Sequence, residues 1–278
     1  METWQTFGHN AVKNILDKQL AAGKFPHAYL FSGPGGIGKK ALALEFAKKI
    51  LNTEKLENHP DFQILDVEGE ITIEPLLNFT ASLAFKPFMG EKKLAIINNA
   101  ENLNATSGNA LLKTLEEASA STIIVLVAGP GAVLPTIISR CQVFNFNPFS
   151  NSLLAEYAKE SGIDASEEML DLAFGSPGKL KRLAEDAEFL QRQKDFASKF
   201  KNFQKETLAE KFISISEFSE LEPAELEQNL LAWMFLQNEA LEKTPQDFGK
   251  TRAIMEALEA LKKNQNKKLV LQGLFLKI

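Results

Sequence analysis

The 278-residue chain has a single cysteine, Cys141. That scarcity excludes an internal disulfide framework and a multi-cysteine zinc site, and it suits a reducing cytoplasm. Also missing is any apolar run long enough to span a bilayer, and Met1-Glu2-Thr3-Trp4 does not open a signal peptide. A cytoplasmic protein with no membrane partner is therefore expected. Positive charge is scarce too: the formal net charge is −5. Tight, independent binding to nucleic acid needs a basic surface, so any grip on DNA would come mostly from other subunits. Internal repeats and low-complexity tracts are absent. The remaining composition, 45% hydrophobic and 24% charged, is that of an ordinary globular protein, and the length suggests two or three domains.

The most informative stretch that is present runs Ser32-Gly33-Pro34-Gly35-Gly36-Ile37-Gly38-Lys39-Lys40. Ala28-Tyr29-Leu30-Phe31 before it reads as a buried strand. Ala41 to Leu51 after it reads as a helix, with Leu42, Phe46 and Ile50 at helical spacing. Strand, Gly-x-x-x-x-Gly-Lys turn and helix form the phosphate-binding loop arrangement. Gly33, Gly35, Gly36 and Gly38 let backbone N–H groups converge on phosphate oxygens, and the helix N-terminus adds its positive end. Lys39 would reach the terminal phosphates. Where the motif needs Ser or Thr to hold Mg²⁺, Lys40 stands, and an ammonium cannot ligate a cation. A glycine-rich turn without any ligand is the other reading of these residues.

Around this loop, Gly8 to Ala22 reads as an amphipathic helix stopped by Gly23. Strands are expected at Asp61 to Val67, Leu94 to Ile97, Thr122 to Val127 and Gln142 to Phe146. Helices are expected near Glu74 to Phe85, from an Asn104 cap to Ala118, and over Pro135 to Ser139. Alternation of this kind predicts a mainly parallel sheet with helices on both faces. Asn147-Pro148-Phe149-Ser150 ends the pattern. Beyond it only helices are read: Ser152 to Ser161, Ser166 to Phe174, Pro177 to Phe200, Leu221 to Glu242, Pro245 to Lys262 and Lys267 to Lys277.

A loop of this type normally faces acids at the end of a nearby buried strand, one for Mg²⁺ and one for the attacking water. After Leu94 to Ile97 the residues are Asn98 and Asn99, neutral amides of similar shape. An amide can hydrogen-bond a phosphate but cannot neutralise Mg²⁺ or accept a proton. Positions 40, 98 and 99 together predict a pocket that does not hydrolyse.

Four blocks extend the comparison: His27 to Pro34, His59-Pro60-Asp61, Asn109-Ala110-Leu111-Leu112-Lys113-Thr114-Leu115-Glu116-Glu117, and Leu134 to Cys141. In order and spacing they resemble the bacterial clamp-loader subunits of the AAA+ superfamily, over about residues 4 to 185. Asn266 through Leu274 is similar, more weakly, to the closing helix of that family's collar. A decayed nucleotide site beside a retained Ser139-Arg140-Cys141 resembles the delta-prime group within it. The resemblance implies that Arg140 enters the nucleotide site of a neighbouring subunit as a trans-acting finger, a role suited to an always-charged, planar, bidentate donor. An arginine satisfying helix C-terminal carbonyls is the alternative. Ser139 and Cys141 read as packing or positioning residues.

Gly175-Ser176-Pro177-Gly178-Lys179 matches the region where active members place an arginine over their own phosphates. Lys179 either touches nucleotide or belongs to an ordinary helix start capped by Ser176. Ala128-Gly129-Pro130 offers no polar sensor. Asn52 to Asn58 replaces the family's four-cysteine segment, so no metal is expected, and His59 reads as structural. Phe85-Lys86-Pro87-Phe88-Met89 is either a partner-facing patch or a loop over the core.

The implied architecture is an α/β AAA+ P-loop domain with a mainly parallel sheet at 1–147, a small helical lid domain at 148–203 and an all-helical collar domain at 204–278. The implied function is that of a non-catalytic subunit of the DNA polymerase III clamp loader. It would require no cofactor, binding ATP or ADP without hydrolysis if at all. Its partners would be the ATPase subunits and delta, with the sliding clamp and primed DNA reached through the complex. An active ATPase and a nucleotide-sensing scaffold are the alternatives.

Overall fold

A computed structural model describes residues 4–130, 133–202, 208–222, 225–226, 229–231, 234, 248–262 and 265–277. The first elements are α1 (Asn10–Ala22), β1 (Ala28–Ser32), α2 (Lys39–Leu51), β2 (Phe62–Leu65), α3 (Ile73–Ala81) and β3 (Lys93–Ile97). They continue with α4 (Ala105–Glu117), β4 (Thr122–Ala128), α5 (Pro135–Ile138) and β5 (Gln142–Asn145). The five strands form one parallel sheet in the order β2-β3-β4-β1-β5.

The continuous apolar runs of β1, β3 and β4 arise because both faces are covered. Tyr29, Phe31, Leu94, Ile96, Ile123, Val125 and Val127 pack with Val12 and Leu16 of α1 and Leu42 and Phe46 of α2. The alternate residues, Leu30, Ala95, Ile97, Ile124 and Leu126, pack with Leu76 and Phe79 of α3 and Leu111 and Leu115 of α4. Gly23 caps α1 in the left-handed region at φ 62°, and the Asn104 side chain accepts from Ser107 N at 2.8 Å to start α4. The strand C-termini thus converge at one rim of the sheet, where open parallel sheets form their crevice.

Residues 1–157 with 175–178 make one compact unit; residues 158–174 with 179–278 make a second. After β5, the described residues contain no strand. Helices follow at α6 (Asn151–Glu160), α7 (Glu167–Ala173), α8 (Pro177–Glu185) and α9 (Ala187–Asn202), then at Leu208–Glu220, Phe248–Lys262 and Lys267–Leu276. In the second unit, Ile215, Phe218, Leu226, Leu230, Ile254, Leu258, Leu271 and Phe275 form a core of their own. Among the described residues no helix is long and apolar enough to cross a membrane.

Two differences from the sequence pattern have local causes. The single helix expected over Pro177 to Phe200 is two, because the Asp186 carboxylate accepts from Phe189 N at 2.8 Å and starts a new helix. The helix Leu208–Glu220 lies in the stretch expected to be all-helical but had no bounds of its own in the sequence reading. The segment after α3 tightens into a 3-10 turn at Ser82–Ala84 instead of continuing to Phe85. The helix expected over Leu221 to Glu242 lies largely outside the described residues.

The loop that follows is tied down by Asp61, which is fully buried. Its carboxylate accepts from Phe88 N at 2.5 Å, Met89 N at 2.7 Å and Gly90 N at 3.2 Å. Phe85, Phe88 and Met89 are held outward as a result, 71%, 83% and 69% exposed. Burial pushes the Asp61 carboxyl up, but the three N–H donors and the nearby His59 outweigh it and hold it below its ordinary 3.8. His59 is structural here: its Nδ1 accepts from Asp61 N at 3.2 Å.

The folded carboxyl of Asp61 ionises more readily than the unfolded one, so its stabilisation is full above the unfolded pKa and is lost as pH falls through the folded one. Asp61→Asn is expected to cost about 1.5–3 kcal/mol at neutral pH. It should also flatten the acid limb of the stability curve. Chemical denaturation across pH checks both.

Candidate functional site

The phosphate loop lies at the C-terminal end of β1 and leads into α2. Gly33 passes so close to the sheet edge that a Cβ there would sit 2.3 Å from Phe146 O. Gly38, at φ 96°, takes a conformation that side chains resist and opens α2. At Gly35 space does not demand glycine, since a Cβ there would meet nothing within 4 Å. The loop's outer carbonyls are held by the start of α8 and the residue before it: Ser176 Oγ donates to Gly35 O at 3.2 Å and Gly178 N to Gly36 O at 2.9 Å.

Gly35, Gly36, Gly38, Lys39, Lys40 and Ala41 line a cavity of about 400 Å³ with Asn98, Asn99, Glu101, Val127, Ala128 and Gly129. Lys39 is buried at 7% exposure, and its ammonium donates to Gly33 O at 2.6 Å and to Pro34 O. Burial lowers its pKa to about 8, with Glu101 pulling the other way. Lys40 forms an ion pair with Asp66, whose other oxygen accepts from Asn98 Nδ2 at 2.7 Å. The Lys40 ammonium and the Asn98 amide hold the Asp66 carboxyl below its ordinary range. The Asp66 carboxylate is thus already matched by a cation of the chain. The glycines and Lys39 suit a phosphate; Lys40, Asn98 and Asn99 do not suit its Mg²⁺. Among the described residues no group of three or more His, Cys, Asp or Glu could hold a metal ion.

Two members of this site escaped the sequence reading. Asn99 turns left-handed at φ 53° into a 3-10 turn, Ala100–Asn102, and this brings Glu101 into the cavity. The pocket therefore contains an acid after all, displaced by one turn from the asparagines. The spacing Asn98-x-x-Glu101 carried that signal. The second is His9, left-handed at φ 54°, whose Nε2 donates to Ile37 O at 2.6 Å and braces the loop from α1. Its ring packs on Phe146 and Phe149, with centroids 4.7 and 4.9 Å away. No periodicity could have revealed it, because the contact depends on the left-handed turn.

Lys179 lies in the second compact unit. Its Nζ lies 4.6 Å from the centre of the Phe174 ring, and burial lowers it to about 8 against the opposing pull of Glu225. Arg140 stands just after α5 with a side chain 35% exposed. Its Nε donates to Glu116 Oε1 at 3.0 Å, its Nη2 to the same oxygen, and its Nη1 to Thr136 O at 2.9 Å. The guanidinium therefore caps a carbonyl of its own helix and remains at the surface. Burial raises the Cys141 thiol to about 11, so it is protonated at neutral pH.

The profile of the family described as DNA polymerase III, delta subunit, matches residues 8–150. The chain belongs to that family. Relatives from Pseudomonas aeruginosa and Bacillus subtilis, both named DNA polymerase III subunit delta', are 33% and 31% identical. These matches cover 56% and 55% of this chain, and 55% and 51% of the relatives. Replication factor C small subunit 1 of Pyrobaculum islandicum is 32% identical over 59% of this chain and 50% of its own length. The chain spans about half the length of the curated relatives it matches. The family match takes in the phosphate loop, Glu101 and Arg140 together, so these residues sit within the shared region.

His9 offers a direct check on the loop brace. Burial lowers its pKa below 6.5, with Ile37 O opposing and Lys13 and Lys39 assisting. The unfolded chain then binds the proton more readily, so stability is full above the unfolded pKa and falls as pH drops through the lowered folded one. His9→Gln is expected to flatten that slope; thermal unfolding followed from neutral pH to about pH 5 reads it.

Proposed function

We propose that this chain acts as a delta-prime-like, non-hydrolysing subunit of the DNA polymerase III clamp loader, offering Arg140 in trans to a neighbouring ATPase subunit. The observation that carries this reading is the contrast between two cations. Lys40, standing in place of the hydroxyl that would hold Mg²⁺, pairs with Asp66, whereas Arg140 pairs with a carboxylate outside the cavity lining. Family membership supports the complex; the chemistry of the two sites supports the division of labour.

In this reading residues 1–147 form the AAA+ domain, 148–203 a lid and 204–278 a collar that joins the ring. The partners are the ATPase subunits and delta, with the sliding clamp and primed DNA engaged through the assembly in the cytoplasm. The net charge of −5 agrees with a subunit that leaves most DNA contact to others. No cofactor of its own is required for the finger to act.

A sensing role for the pocket is compatible with this and has one observation in its favour. The carbonyls of Gly35 and Gly36 are bonded to Ser176 and Gly178, so a phosphate that reshaped the loop would be felt at the start of α8. Bound ATP or ADP would then set geometry without being hydrolysed.

A trans finger is worth about 10³–10⁵ in rate at the site it serves. A loader reconstituted with Arg140→Ala is expected to lose most of its DNA- and clamp-stimulated ATPase, and Arg140→Lys should not restore it, because the bidentate fork is gone. Undiminished ATPase in the Arg140→Ala loader would refute the finger.

A further inference from the structure

Glu101 Oε2 is buried and has no hydrogen-bond partner. A carboxylate oxygen in that state is costly, and such groups in folded proteins call for an explanation. Its position is enforced from two sides. The left-handed Asn99 and buried Ala100 direct the turn inward, and the neighbouring strand end offers Gly129, where a Cβ would stand 3.2 Å from Glu101 Oε1. The carboxylate shares the cavity with Lys39 and pulls that lysine's pKa upward against burial. Lys40, the other cation lining the cavity, is already matched by Asp66.

We propose that Glu101 is a built-in anion of this phosphate loop: it competes with a ligand's phosphates for the charge of Lys39 and so makes the pocket a poor binder of nucleoside di- and triphosphates. The loop keeps the backbone shape for phosphate, but its electrostatics are set against it. A phosphate entering beside this carboxylate meets like charge, and inside a protein pocket such repulsion is larger than in bulk water. This inference rests on reading Gly33 to Lys39 as a phosphate loop. It does not depend on Arg140, so the loader ATPase experiment and the one below fail separately.

The test is calorimetric titration of the full chain with ADP and with ATP, in excess EDTA and again with Mg²⁺. The proteins are wild type, Glu101→Gln, Glu101→Ala and Glu101→Gln/Lys39→Met. Without Mg²⁺, Glu101→Gln is expected to bind both nucleotides about tenfold tighter than wild type, the scale of removing one partly screened like charge. Glu101→Ala should gain similarly, and either variant suffices should the other not fold. Loss of the gain in the double variant supports a route through Lys39. Unchanged or weaker binding in the single variants overturns the proposal. So does a gain that survives Lys39→Met. Weakening seen only with Mg²⁺ would identify Glu101 as a cation ligand instead, which also overturns it.

Discussion

Burying the Lys39 ammonium beneath a glycine loop obliges the surroundings to answer one positive charge with oxygen atoms. At 7% exposure there is little water to do it. Gly33 O and Pro34 O accept hydrogen bonds from it, and Glu101 supplies charge from across the cavity. The rest of the site follows from this arrangement. Gly33 must lack a side chain for the loop to return over the lysine against Phe146, and His9 must hold Ile37 O so that the loop keeps its curve. Gly129 must leave room for the carboxylate. The sheet makes this possible by presenting the ends of β1, β3 and β4 at one rim, fixed by strands buried on both faces.

Much of this was legible in the residues. The runs Leu94 to Ile97 and Thr122 to Val127 are too apolar for a sheet with a wet face, and both are central parallel strands. The phosphate loop is legible because glycine spacing and lysine position are both demanded by backbone geometry. What stayed hidden depends on single left-handed residues. Asn99 and His9 each reverse the chain once, and no hydrophobic period records such a turn. Glu101 was therefore passed over, and the reading that the pocket had lost its acids holds only for positions 98 and 99. Asp186 shows the same limit on a smaller scale, where one side-chain cap divides a helix that periodicity joins.

The C-terminal portion was legible differently. Its helices at Phe248–Lys262 and Lys267–Leu276 have long stretches with helical spacing, and Asn266 caps the second by accepting from Leu269 N. The Leu208–Glu220 helix does not: its isoleucine-serine alternation imitates a strand, and Ser214 and Ile215 are buried while Ile213 stays 60% exposed. Packing onto Phe196 and Phe275 decides the outcome there, a tertiary preference overriding a local one.

The cis partners of Arg140 bear on whether it can serve another subunit. An ion pair between exposed groups contributes roughly 0–1 kcal/mol, since water screens it and two long side chains must be ordered to make it. Glu116, whose side chain is 54% exposed, therefore holds the guanidinium loosely. A polyphosphate with several charged oxygens would outcompete it in a drier site, where bidentate Arg–phosphate bonds are stronger. The bond to Thr136 O is different in kind: it fixes the direction in which the side chain leaves α5 without neutralising it. In the proposed role, a cation aimed by a carbonyl and only lightly held by a carboxylate would be open to a partner's phosphates.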